Sequence, residues 1–209
     1  SSMDPAIGYY AYYLAKIGGF NLVSRELGVS RPYRSFYNQT YKGEVPGLSD
    51  FMDDLNLLTS DNDSWVITLL PSSGNKEPEF PTSIHLAYGG AKGDETFNGS
   101  DLLVKDIQLA DKLFSEIESS MDDKFGLKTD RQRYHDKTSP DLFMRKLDNA
   151  QNINAFVLRI SWSAFLWNAR KIQMAKELAD VINRNIGKPD HVISPELKEK
   201  AIGFADYSD

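Results

Sequence analysis

The stretch 57–70, LLTSDNDSWVITLL, decides how the first third of this chain reads. Leu57–Thr59 and Trp65–Leu70 carry apolar and β-favouring residues on either side of Asp61-Asn62-Asp63, so the pattern predicts two strands joined by a polar turn. Upstream, Asp4-Pro5 is a strong helix start, because an aspartate accepts from the free amides of a first turn and proline loses no bond there. Ile7, Tyr10, Ala11 and Leu14 then recur at helical spacing until Gly18-Gly19. Leu22, Val23 and Leu27 predict a short second helix, and Ser30-Arg31-Pro32 opens another through Tyr33–Tyr41. Ser49 is placed to cap a further helix that turns Phe51, Met52 and Leu55 toward a core. Compact helices followed by a hairpin predict a winged-helix-like unit over residues 1–70.

Residues 71–83, with Pro71, Gly74, Pro78 and Pro81 among polar residues, read as a linker or long loop before a second unit over 84–209. Ser100 is the expected cap of a helix whose stripe runs through Val104, Ile107, Ala110, Leu113, Phe114, Ile117 and Met121. Thr129–Pro140 is polar and reads as loop. Ile153–Ile160 is apolar on nearly every side, so both a buried strand and a helix fit its periodicity, and a strand is favoured. From Ser163 to Asn185, Leu166, Ala169, Ile172, Ala175, Leu178, Ala179 and Ile182 keep one helical face that Gly187-Lys188-Pro189 ends. The fold class expected is α+β and helix-rich, with the C-terminal unit α/β or helical.

Composition narrows the function. A chain of 209 residues with 41% hydrophobic content can bury a sizeable core. A formal charge of −6 argues against a surface that grips phosphate everywhere, since non-specific affinity for nucleic acid comes from lysine and arginine neutralising the backbone. The absence of cysteine excludes disulfides and thiolate zinc sites. Ser1-Ser2-Met3 lacks the basic and apolar regions of a secretory leader and reads as the start of a domain cut from something longer. The most apolar stretch, Ile153–Trp167, is interrupted by Asn154, Arg159, Ser161 and Ser163, short of the roughly 20 apolar residues of a membrane span, so a soluble protein is expected.

Leu22-Val23-Ser24-Arg25-Glu26-Leu27, Pro32-Tyr33-Arg34-Ser35-Phe36-Tyr37, Gly47-Leu48-Ser49-Asp50-Phe51-Met52 and the closing Trp65–Leu70 together resemble the LOTUS, or OST-HTH, type of winged helix. The resemblance covers about a third of the chain and implies RNA binding or docking of a helicase partner, without catalysis. The residues themselves point the same way. Arg31, Arg34 and Lys42 lie among Tyr33, Phe36, Tyr37 and Tyr41, which sets charge for phosphate beside rings for base stacking. Arg31, Tyr33, Arg34, Tyr37 and Lys42 are therefore the candidate contacts to RNA or a protein partner. Aromatics at this spacing also fill cores, and the nearby Asp50, Asp53, Asp54, Asp61 and Asp63 would repel a nucleic acid that shared their face.

A second resemblance begins at Ser83-Ile84-His85-Leu86-Ala87 and Gly93-Asp94-Glu95-Thr96-Phe97 and continues through Leu109-Ala110, Ala155-Phe156-Val157-Leu158-Arg159 and Asn168. Here the chain resembles the later half of the zinc-dependent N-acetylmuramoyl-alanine amidases, which implies a zinc ligand at His85. That family's earlier histidine and its glutamate ligand have no counterpart before His85, and Arg159 stands where its general-base glutamate would follow the late strand. A catalytic zinc needs about three protein ligands and a base. The alternative to a recognition module is thus an amidase-like cell-wall hydrolase, or an inactive relative of one.

Other chemistry is weakly represented. His85, His135 and His191 form no i, i+4 ligand pair, and Gly89-Gly90-Ala91-Lys92-Gly93 lacks the Gly-Lys-Ser/Thr ending of a phosphate loop. Asp94 and Glu95 are adjacent, not set across a cleft. The run Arg131-Gln132-Arg133-Tyr134-His135-Asp136-Lys137 is a second candidate for phosphate contacts. Trp162, Phe165 and Trp167 cannot all face the core, and one left outside would mark a partner surface. No catalytic residue is assigned, and no cofactor is expected outside the zinc alternative.

Overall fold

The computed structural model describes residues 5–23, 48–60, 64–72, 84–87, 104–132, 147–161 and 168–187. They form helices α1 (Pro5–Gly18), α2 (Leu48–Leu58), α3 (Ile107–Phe125) and α4 (Asn168–Ile186). The strands are β1 (Trp65–Ser72), β2 (Ile84–Ala87), β3 (Thr129–Gln132) and β4 (Asn154–Ser161). The architecture is α+β and helix-rich. Among the described residues no helix is long and apolar enough to cross a membrane.

One four-stranded sheet runs in the order β1-β4-β2-β3. β1 pairs parallel with β4 from Trp65↔Asn154 to Ser72↔Ser161, and β2 pairs parallel with β3, while β2 and β4 meet antiparallel. β4 therefore has a neighbour on each edge. It is also packed on both faces, which is why Ala155–Leu158 run apolar without alternating.

Alternation along the strands divides the core in two. Trp65, Ile67 and Leu69 of β1, Phe156, Leu158 and Ile160 of β4, and Ile84 and Leu86 of β2 join the larger core. There they meet Tyr10 and Leu14 of α1, Leu113, Phe114, Ile117 and Met121 of α3, and Met174, Leu178 and Ile182 of α4. The rings of Phe114 and Phe156 sit edge to face at 5.2 Å, and burying each such side chain contributes roughly 1.5–3 kcal/mol. Val66, Ala155 and Val157 face the other way, against Leu55, Phe51 and Met52 of α2 and against Leu147 and Ile153. Among the described residues, three helices thus cover one face and α2 lies on the other. α1 and β1 share the larger core with β2, α3, β4 and α4, so this core spans both sides of the expected linker.

Polar side chains fix how α3 and α4 lie. Asp106 caps α3 by accepting from the Leu109 amide at 2.9 Å, and Gly126, at φ 60°, ends it in the left-handed region. The buried Asn154 at the start of β4 accepts from the amides of Lys105 (2.8 Å) and Asp106 (3.3 Å), anchoring the entrance of α3 to the sheet. Glu177 of α4 accepts from Ser120 and Lys124, and Glu116 of α3 accepts from Arg184 and Asn185. The Asn183 amide donates to the Gly18 carbonyl at the end of α1.

Several sequence expectations need correction. Leu57 and Leu58 are the last residues of α2 and not a strand; Leu55 is its core anchor, and Thr59 folds back to the Leu55 carbonyl. β1 pairs with β4 along its whole length, so the expected hairpin of 57–59 with 65–70 is not formed. Pro71 and Ser72 belong to β1, not to a linker. The cap of α3 is Asp106, not Ser100, because the helix begins at Ile107 and Val104 is buried ahead of it. Thr129–Gln132 is strand, not loop, since pairing with β2 satisfies the backbone of a segment that has no apolar pattern. On α4 the buried face runs through Met174, Ala175, Leu178, Ala179, Val181 and Ile182, leaving Ala169 and Ile172 exposed. The favoured strand at 153–160 is present as β4. The helices expected at Leu22–Leu27 and Tyr33–Tyr41, residues 73–83, Trp162, Phe165 and Trp167 lie wholly or largely outside the described residues.

Candidate functional site

Seven of the eight residues of β4 are buried, and Arg159 is the exception. Leu158 and Ile160 on either side of it enter the larger core, so alternation puts Arg159 on the face that α2 partly covers. The registers then define a row across the sheet. Leu70 stands opposite Arg159, Arg159 opposite His85, and His85 opposite Asp130. With neighbouring strands about 4.8 Å apart, Arg159 and Asp130 lie roughly 10 Å apart at their backbones, with His85 between them.

This row brings together His85 and Arg159, the two positions at which the amidase resemblance bears on chemistry. A guanidinium offers donors and no acceptor, so Arg159 cannot take a proton from water as a general base would, and its charge opposes a divalent cation nearby. Among the described residues no group of three histidine, cysteine, aspartate or glutamate side chains is placed to hold a metal. Asp130 was not legible as a site residue, because only the β2–β3 pairing places it beside His85.

The basic run beginning at Arg131 looks different in three dimensions. Arg131 donates through Nε and Nη2 to the two carboxylate oxygens of Glu118, both at 2.6 Å, and through Nη2 to Ser115 at 2.6 Å, with Asp111 3.7 Å away. A bidentate pair of this kind holds β3 against α3 and neutralises the first cation of the run. Arg133, Tyr134, His135 and Lys137 lie outside the described residues, as do Arg31, Tyr33, Arg34, Tyr37 and Lys42, His191 and the glycine-rich 89–93 segment.

The shifted carboxylates sit elsewhere. Asn185 and Arg184 hold Glu116 below the usual carboxylate range by hydrogen bonding, and Lys124 and Ser120 do the same for Glu177. Both lie on the helices covering the opposite face of the sheet from Arg159, where they join α3 to α4. Burial pushes the Tyr10 hydroxyl pKa up, at the α1 side of that same core.

Comparison with models of protein families, with curated proteins and with solved structures finds no match to this chain. The functional reading therefore rests on the row itself and on the residues of the sequence.

Proposed function

We propose that this chain is a non-catalytic recognition module that binds a protein partner or RNA. The observation that carries the reading is the register of Arg159 with His85 on the central strands. At the one place where the sequence hints at hydrolytic chemistry, the neighbour of the candidate metal ligand is a fixed cation without acceptor capacity. Arg31, Tyr33, Arg34, Tyr37 and Lys42 supply the contacts expected from the sequence, with cations positioning an anionic ligand and rings stacking on it. The formal charge of −6 favours a protein over RNA. The winged-helix form of the proposal has no support from the hairpin on which it drew, since β1 belongs to the four-stranded sheet.

Two measurements test the reading. Protein purified without chelator should contain no stoichiometric zinc and should leave muramoyl-alanine amide bonds intact; zinc lost on His85→Ala, together with hydrolysis, would overturn it. Fluorescence polarisation with single-stranded RNA at two salt concentrations separates the ligands. Affinity that falls with salt and with Arg34→Ala identifies RNA, and no binding at low salt leaves the protein partner.

A second reading draws on the same observation. His85 and Arg159 are distant in sequence, yet both were singled out by the amidase resemblance and both stand in one cross-strand pair. This favours descent from an amidase that has lost its metal chemistry, with the old site kept as a binding surface.

A further inference from the structure

We draw no further inference here: the strongest candidate, the outer edge of the apolar strand β1, which among the described residues pairs with β4 alone, carries none because nothing in the structure shows what covers it.

Discussion

Asn154, the first residue of β4, holds the entrance of α3 through Lys105, whose amide donates to the Asn154 side-chain oxygen at 2.8 Å. The Asp106 amide shares the same acceptor at 3.3 Å, and Asn154 is 6% exposed. One side chain therefore satisfies two backbone donors at the start of α3. Asn154→Ala leaves both amides without that acceptor, and the expected cost is about 1–3 kcal/mol. Urea unfolding followed by circular dichroism gives the number; a loss below a few tenths would mean the amides find other partners.

Phe114 and Phe156 join α3 to the central strand at the middle of the larger core, and both are fully buried. Phe156→Ala should destabilise the chain by about 3–5 kcal/mol, whereas Phe156→Leu, which keeps most of the volume, should cost less than about 1.5 kcal/mol. Equal losses in the two variants would show that the site cannot adapt to a branched aliphatic chain.

Gly126 closes α3 at φ 60°, with its amide donating to the Asp122 carbonyl, and an added Cβ would meet nothing within 4 Å. The expected cost of Gly126→Ala is thus backbone strain alone, about 1–2 kcal/mol. Gly126→Asn should recover part of it, because asparagine tolerates the left-handed region. Thermal melts of the two variants decide the matter.

Acid should weaken the α3–α4 seam. Glu116 and Glu177 are held below the ordinary value of 4.5 in the folded chain, so as pH falls through that value the unfolded chain takes up protons first. The stability they contribute is present above about pH 4.5 and is lost as pH drops through their lower folded values. A urea midpoint that holds steady from neutral pH and then declines below that point is expected. Glu177→Gln should lower the midpoint at neutral pH and flatten the decline; an unchanged acid limb in that variant would assign the pH dependence to other groups.

Much of the fold was legible because the relevant residues obey a period. α1, α2, α3 and α4 each show an apolar stripe, and β4 shows in Ala155–Leu158 the apolar run of a strand packed on two faces. β3 has no such mark: Thr-Asp-Arg-Gln is strand because β2 is beside it and Glu118 holds Arg131. The partner of β1 was misread for a related reason. A polar turn between two apolar segments is a local signal, while the pairing of Trp65 with Asn154 is decided by burial across most of the chain. His85 could be singled out from its motif, and Arg159 from its odd place in an apolar run. Their adjacency, and that of Asp130, needed the strand order.

The parallel pairing of β1 with β4 also constrains how this protein is made. The strand that completes the sheet emerges from the ribosome long after Trp65–Ser72, so both cores stay open while the intervening chain is synthesised. Until Ser161 has been added, apolar β1 lacks the full length of its β4 partner, and a nascent chain stalled before that point leaves the strand incompletely paired.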